Sequence, residues 1–200
     1  MRCRLADCRR SQSGVTLIEL LIGMAVIAIA LNFALPSYAT WIQNLQIRNA
    51  AQSILNGLQL ARAEALRRNT FVQFALTDAT GLASWSVRAD DPSVAGLAYT
   101  LAVQARSAQE GSSNARIATT TAGPQTGATT AAALAAGSGL GAAVDFNALG
   151  RVTGATPVTR IDVFNPSYTG SRRLVILVSA GGQVRMCDPA LGGTNPQRCI

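Results

Sequence analysis

An apolar run of 21 residues near the N-terminus constrains this chain more than any other feature of its sequence. The run covers residues 15–35 and contains a single charged side chain, the carboxylate of Glu19. As an α-helix it would be about 31 Å long, which is enough to span the hydrocarbon core of a bilayer. A charged group inside lipid is costly unless it is paired, and such residues are usually functional. The segment is therefore expected to leave the bilayer and to find a partner for Glu19.

A short basic leader precedes the apolar run. Residues 1–14 carry four arginines and one aspartate and end in Gly14, whereas few charges closely follow the run. The positive-inside rule therefore predicts a single-pass protein with its N-terminus in the cytoplasm and its C-terminal domain on the exported side. A secretory signal peptide cut near residues 37–39 is the alternative. It would leave Glu19 inside an apolar region in which signal peptides rarely carry a charge.

The residues around Gly14 resemble the processing site of type IV prepilins and type II secretion pseudopilins. The matching residues run Gly14-Val-Thr-Leu-Ile-Glu-Leu-Leu21. In that family a prepilin peptidase of the bacterial inner membrane cuts after the glycine and methylates the new N-terminal amine. The resemblance implies cleavage between Gly14 and Val15, N-methylation of Val15 and a helix bend at Pro36. Most members have Phe in place of Val15, which weakens the expectation of methylation more than that of cleavage.

The same resemblance assigns a role in assembly to Glu19. It would be the fifth residue of the mature chain. In this family that carboxylate attracts the N-terminal amine of a neighbouring subunit as the subunit joins the filament. An amine and a carboxylate attract each other strongly in a low-dielectric bundle, whereas each alone is costly there. A solitary Glu19 that is protonated in lipid is the alternative.

A helical pattern continues beyond the apolar run. Apolar residues recur at three- and four-residue spacing and form one stripe, which consists of Ile47, Ala50, Ile54, Leu58, Ala61 and Ala65. One helix is therefore predicted from about residue 15 to about residue 68. Residues 15–36 form its transmembrane and assembly half, and residues 37–69 form its amphipathic half, which packs against a domain.

The remaining residues, 70–200, are predicted to form a β-rich periplasmic domain. Short alternating or apolar runs between Gly, Asp and Pro indicate strands, at residues 71–76, 84–87, 97–103, 144–146, 160–164, 174–178 and 183–186. A hairpin turn at residues 180–182 would join the last two. Residues 111–143, rich in Ala, Thr and Gly, are expected to form a long low-complexity loop, with a helical turn or two at 129–136 as the alternative. The predicted fold class is α+β, with a long N-terminal transmembrane and spine helix packed on an antiparallel β-sheet.

Three further segments resemble the GspH/FimT group of minor pseudopilins and minor pilins. They are Leu60-Ala-Arg-Ala-Glu-Ala-Leu-Arg-Arg-Asn69, Phe146-Asn-Ala-Leu-Gly-Arg151 and Gly182-Gln-Val-Arg-Met-Cys-Asp-Pro189. The resemblance implies a pilin-like domain and a structural subunit of a type II secretion pseudopilus or a type IV pilus. Such a subunit would assemble near the filament tip with other pseudopilins or pilins. The resemblance does not extend to residues 77–143.

The arginines suggest DNA as a further partner. The chain has 17 arginines and no lysine, and without residues 1–14 it keeps 13 arginines against 9 acidic residues. FimT-type minor pilins, which this chain resembles, are implicated in catching DNA for uptake through a basic C-terminal region, and arginines can contact phosphates. The candidate DNA-binding residues are Arg172, Arg173, Arg185 and Arg198. A solvated arginine-rich face is the alternative. No aromatic residues interleave these arginines, which disfavours a site that stacks the bases of single-stranded DNA.

The four cysteines divide between two compartments. Cys187 and Cys199 lie on the exported side and are predicted to form a disulfide in an oxidising periplasm, with two free thiols as the alternative. Cys3 and Cys8 lie in the leader and would be removed with it.

No enzyme is predicted from this sequence. The chain has no histidine, which excludes Ser-His-Asp and Cys-His catalysis and the common histidine metal sites. Asp90 and Asp91 beside Pro92 are typical of a turn. The glycines at residues 137–141 lack the Lys and Ser/Thr of a phosphate-binding loop. No catalytic residue, metal or cofactor is therefore expected.

Overall fold

A computed structural model describes residues 14–121, 137–141, 143–168, 171–192 and 194–199, without the side chains of residues 32–36. The chain divides into two compact units, of which the first ends at Ala39 and the second begins at Thr40. The leader before Gly14, the side chain of Pro36 at the predicted bend, and residues 129–136 lie outside this description.

One long helix, α1 (Leu17–Arg68), leads into the sheets. Asn69 ends the helix with a φ of 52°, in the left-handed region that asparagine tolerates better than most residues. The N–H of Thr70 then bonds to the carbonyl of Ala65 at 3.3 Å, which is the 6→1 hydrogen bond of a Schellman motif. The structure confirms the single helix that the sequence predicts up to residue 68.

The helical part of the first unit exposes apolar side chains on every side. All large apolar residues from position 15 to position 31 are more than half exposed in the single chain. A helix that is apolar all round belongs in a buried environment. Among the described residues, no helix is both long enough and apolar enough to cross a membrane.

The described residues that follow α1 form nine strands in two antiparallel sheets. The strands are β1 (Val72–Leu76), β2 (Trp85–Ala89), β3 (Leu101–Arg106), β4 (Arg116–Thr120), β5 (Ala143–Phe146), β6 (Val152–Thr153), β7 (Arg160–Phe164), β8 (Leu174–Val178) and β9 (Val184–Cys187). Sheet A has the order β3-β2-β1-β5-β6, and sheet B has the order β4-β7-β8-β9. Every pairing is antiparallel.

One hydrophobic core joins the second part of α1 to the inner faces of both sheets. All six residues of the predicted helical stripe are buried in it. Sheet A contributes side chains such as Phe74 and Phe146, and sheet B contributes Ile161 and Ile176. The structure therefore confirms the α+β class, in which a helix packs on antiparallel sheet.

The helix approaches sheet A closely at Gly57. A Cβ atom at this position would lie 2.8 Å from Cε2 of Phe74 and 3.1 Å from the indole of Trp85. One turn earlier, Ser53 accepts a 2.8 Å hydrogen bond from the indole N–H of Trp85. Gly57 is therefore required for close packing, and Ser53 satisfies a buried donor that would otherwise be costly.

The strands differ from the sequence prediction in three places, one of which is the short strand β6, which the sequence did not predict. The sequence predicts a low-complexity loop over residues 111–143. Residues 116–120 of this segment instead form the strand β4, which pairs with β7 over five residues. Residues 97–100 are not part of β3, because Asp91 N–H bonds to the carbonyl of Ala98 and closes a loop there. The expectation of a loop was therefore wrong for residues 116–120.

Candidate functional site

Glu19 lies in the first turn of α1, where it forms a capping box with Thr16. The N–H and the hydroxyl of Thr16 both donate to Oε2 of Glu19 at 3.2 Å, and the N–H of Glu19 donates to Oγ1 of Thr16 at 3.3 Å. Thr16 is the N-cap residue, and Glu19 occupies the third helical position. This reciprocal pattern satisfies two N–H groups that a helix start leaves unpaired.

The geometry leaves part of the Glu19 carboxylate available to a partner. Both bonds from Thr16 go to Oε2, and no described residue donates a hydrogen bond to Oε1. The carboxylate also lies at the helix N-terminus, where the helix dipole favours a negative charge. The bonds from Thr16 thus hold the helix start through Oε2 and leave Oε1 without a hydrogen bond from the described residues.

Apolar side chains surround Glu19 along the helix. Its neighbours Ile18 and Leu20 are exposed, as are the large apolar residues of the next three turns. Their exposure leaves a continuous apolar surface along this part of the helix in the single chain.

Two of the arginines near the C-terminus belong to a buried ion cluster around Asp162. Arg160 donates to both carboxylate oxygens of Asp162, through Nε at 2.7 Å and through Nη2 at 2.6 Å. Arg173 donates to Oδ2 of the same aspartate at 2.9 Å. The exposed fraction of the Arg173 side chain is 9%, and that of Asp162 is 0%. This cluster is part of the interior.

Of the other candidate arginines, Arg198 lies in the disulfide-closed tail and Arg185 lies on β9 just before it. Cys187 and Cys199 form a disulfide, as the sequence predicts. Arg185 donates through Nη2 to the main-chain carbonyl of Arg198 at 2.9 Å, and Asp188 and Arg198 form an isolated β-bridge. The tail is thus fixed to the end of β9 by a covalent bond and by main-chain contacts.

Arg172 forms an ion pair with Asp188, the first residue after Cys187. Its Nη2 lies 2.6 Å from Oδ2 of Asp188, and the exposed fractions of the two side chains are 53% and 9%. Its N–H also donates to Oδ1 of Asn44 on α1 at 2.9 Å. Arg172 therefore fastens the start of β8 both to the helix and to the tail.

The structure does not bring the four candidate DNA-binding arginines onto one surface. Arg173 is nine-tenths buried and paired with Asp162, so it cannot present its guanidinium to a phosphate. Arg172 and Arg185 are exposed, and Arg198 is half-buried. Arg173 directly precedes β8, and the pairing of β8 with β7 places the Arg173 side chain beside Asp162. The sequence alone does not show this pairing.

Three residues of these sites, Thr16, Arg160 and Asp162, were not among the predicted site residues, although the sequence contains a pattern for each of them. Thr16 and Glu19 have the S/T-x-x-E spacing of a capping box. Arg160 and Asp162 are two apart in a predicted strand, so both side chains must lie on one face. Among the described residues, no group of His, Cys, Asp and Glu could hold a metal ion.

Comparison with known families places these features in context. Residues 9–31 match the prokaryotic N-terminal methylation motif, which defines the chain as a type IV prepilin-like protein. Residues 50–182 match the type II transport protein GspH. This match covers more than half of the chain, which therefore belongs to the GspH family. The family consists of structural pilin-type subunits and is not an enzyme family.

Among solved structures, the chain is similar to the type IV minor pilin FimU of Pseudomonas aeruginosa strain PAO1. The two are 16% identical, with a TM-score of 0.43, over 74% of this chain and 92% of that one. No curated protein matches the chain significantly.

Proposed function

We propose that this protein is a minor subunit of a type II secretion pseudopilus or of a type IV pilus, assembled near the filament tip. Membership of the GspH family supports a role as a pilin-type subunit. The observation that carries the proposal is the helical segment of residues 15–31, whose large apolar side chains are all exposed and which contains one carboxylate. Such a segment requires other helices around it, and a filament core supplies them.

The proposal includes processing by prepilin peptidase. Cleavage between Gly14 and Val15 would create an amine one residue before the N-cap Thr16. The match to the methylation motif supports this position. Glu19 would then hold the amine of a neighbouring subunit through Oε1, while Oε2 keeps its bonds to Thr16.

Before assembly, the chain would cross the inner membrane once, with residues 1–14 in the cytoplasm and residues 40–200 in the periplasm. The arginines of the leader support this orientation. Carbonate extraction of membranes and protease accessibility of the β-domain in spheroplasts test the membrane step separately from processing.

Intact-mass analysis of the protein from membranes tests processing. The expected product lacks residues 1–14, with or without a methyl group on Val15. Gly14→Ala and a host without prepilin peptidase should both leave the full-length chain. A mature chain that begins near residue 40 would contradict the proposal, because it would lack Glu19.

Assembly is tested with Glu19→Ala in a sheared filament fraction. The variant should be processed and folded but should be absent from the filament fraction. Gly23→Ala is the control for a substitution in the same helix, since a Cβ at Gly23 would meet nothing within 4 Å in the single chain. Filament incorporation of Glu19→Ala at the wild-type level would reject the assembly role. Loss of secretion or loss of piliation after gene deletion then assigns the system.

A DNA-binding minor pilin is the second candidate function. The exposed guanidinium groups of Arg172 and Arg185 favour it. Arg172→Ala with Arg185→Ala should weaken binding of duplex DNA by the full chain in detergent and should reduce its salt dependence. Arg88→Ala, an exposed arginine of sheet A, is the control. Equal affinities of these variants would reject the tail as a DNA site.

A further inference from the structure

Three separate segments of the chain meet around the side chain of Arg62. They are the end of α1, the turn of residues 147–150 between β5 and β6, and the turn of residues 179–182 between β8 and β9. A Cβ atom at Gly150 or at Gly182 would lie 3.2 Å from Nε of Arg62. Both glycines have positive φ values, 69° and 78°. Their conformation and their missing side chains together make room for the guanidinium.

Hydrogen bonds hold these two turns in place. The N–H of each glycine bonds to the carbonyl three residues earlier, at 2.8 Å for Gly150 and at 2.9 Å for Gly182. The N–H of Val152 bonds to the carbonyl of Ala180 at 3.1 Å and so joins the two turns. The space around Arg62 is therefore shaped by main chain whose hydrogen bonds are satisfied.

The charge of Arg62 is not compensated within the part of the chain that the structure describes. Its Nε is buried and has no hydrogen-bond partner. No ion pair among the described residues includes Arg62, and the nearby carboxylate of Glu64 is bound by Arg67 and Arg68. A buried donor without a partner costs about 1–3 kcal/mol. Native structures contain few such groups, and each one calls for a physical explanation.

A cavity of about 370 Å³ lies beside Arg62. Its wall includes the carboxamides of Gln59 and Gln183 and the guanidinium of Arg185. These three side chains are exposed, and neither carboxamide has a hydrogen bond to a described residue. Among the described residues that form the wall, none is acidic. The cavity therefore presents two guanidinium groups and two amide donors without a negative charge to balance them.

We propose that this cavity binds a carboxylate from an acidic peptide segment of another protein. The planar guanidinium of Arg62 matches the geometry of a carboxylate, and charge-assisted hydrogen bonds of this kind are stronger than neutral ones. The amides of Gln59 and Gln183 would donate to the same group from either side.

The shape of the cavity favours a side chain on a peptide over other anions. Sites for free small molecules bury most of the ligand, whereas the exposed wall residues here would leave a small acid largely in water. A peptide gains further contacts outside the cavity. The wall also has no aromatic side chain among its described residues on which a base could stack. A peptide carboxylate therefore fits the cavity better than a nucleic acid does.

This inference goes beyond the proposed role in a filament. It uses only residues of the second unit and does not depend on cleavage at Gly14 or on the carboxylate of Glu19.

Fluorescence anisotropy with the full chain in a non-ionic detergent tests the binding. The probe is a labelled peptide of alternating Asp and Ser, and the same peptide with Asn in place of Asp is the neutral control. Arg62→Gln should weaken binding of the acidic peptide by about tenfold or more, because it removes a hydrogen bond between charged groups. Arg88→Gln removes the same charge from an exposed site on sheet A and should have little effect.

Two further variants separate binding from folding. Arg62→Lys keeps the charge without the planar fork and should weaken binding less than Arg62→Gln. Gln183→Ala leaves Arg62 in place and should weaken binding several-fold, so it tests the cavity even if Arg62→Gln does not fold.

NMR provides a readout at Arg62 itself. The Nε–H signal of Arg62, assigned by its loss in Arg62→Lys, should shift on addition of sodium acetate. Sodium chloride at the same concentration should not shift it, because chloride cannot accept two parallel hydrogen bonds as a carboxylate does.

Three results would overturn the proposal. The first is equal affinity for the acidic and the neutral peptide. The second is wild-type affinity in both Arg62→Gln and Gln183→Ala. The third is a shift of the Arg62 signal with inorganic phosphate but not with acetate, which would assign the cavity to phosphate groups instead.

Discussion

Arg160 and Asp162, two residues apart on β7, form a buried bidentate ion pair on the face of sheet B that points away from α1. The intervening residue, Ile161, points to the opposite face and belongs to the helix-facing core. The exposed fractions of the two charged side chains are 2% and 0%. Arg173 adds a second guanidinium to the same carboxylate, so Asp162 holds two cations inside the domain.

Asp162→Asn should therefore destabilise the domain strongly. It removes the charge that compensates Arg160 and Arg173, and breaking a buried pair from one side costs about 3–5 kcal/mol. Chemical denaturation of the purified protein measures the loss. Asp188→Asn is the control, with an expected loss of about 1 kcal/mol, because its partner Arg172 is half exposed and water can hydrate it. Equal losses for the two variants would contradict a special role for Asp162.

The main elements of this fold could be predicted from local patterns in the sequence. The stripe from Ile47 to Ala65 has helical spacing, and all six of its residues are buried. The continuous apolar run Leu174–Val178 has polar residues on both sides and forms β8. In these elements the spacing of apolar residues along the chain predicts which side chains are buried. No knowledge of distant contacts is needed to find them.

Features that depend on contacts between distant residues could not be predicted in this way. β4 (Arg116–Thr120) is short and lies beside an Ala-, Thr- and Gly-rich tract, and its register with β7 is what makes it a strand. The burial of Arg173 likewise depends on Asp162, whose side chain reaches it from β7. A count of charges treats Arg173 as equal to Arg185, whereas the fold buries one and exposes the other.

Gly57 is the second position at which a single substitution should be costly. An alanine normally stabilises a helix relative to glycine by up to about 1 kcal/mol. Here the added methyl group would lie 2.8 Å from the ring of Phe74, which is fixed in the core. Gly57→Ala should therefore lower the free energy of unfolding by about 1–3 kcal/mol, as overpacking does.

Thermal or chemical unfolding checks this prediction. Gly192→Ala is the control, since a Cβ there would meet nothing within 4 Å. A stabilised Gly57→Ala variant would show that α1 can move away from sheet A.

The disulfide should stabilise the tail by restricting the unfolded chain. Cys187 and Cys199 are 12 positions apart, and closing a loop of this size is worth about 3 kcal/mol. Reduction should lower the free energy of unfolding by about this amount and should free the segment that carries Arg198. The double variant Cys187→Ser with Cys199→Ser should be as unstable as the reduced protein and should not respond to reductant. A response of this variant to reductant would show that the effect of reduction arises elsewhere.

Glu64 should titrate far below an ordinary glutamate. Hydrogen bonds from Arg67 and Arg68, at 2.6–3.0 Å, lower its pKa from 4.5 to about 2. A depressed pKa in the folded state stabilises the fold above the unfolded value and loses that effect as the pH falls from about 4.5 to about 2. Because water reaches Arg67, the expected stabilisation at neutral pH is only a few tenths of a kcal/mol.

Two measurements check this prediction. NMR titration of the Glu64 carboxyl carbon should give a midpoint below 4.5, and Glu64→Gln should reduce stability at pH 7 but not at the acid end of the titration. Glu110→Gln is the control, because its carboxylate is more exposed and lies 3.6 Å from Arg106. A Glu64 midpoint near 4.5 would mean that both ion pairs at the end of α1 are absent in solution.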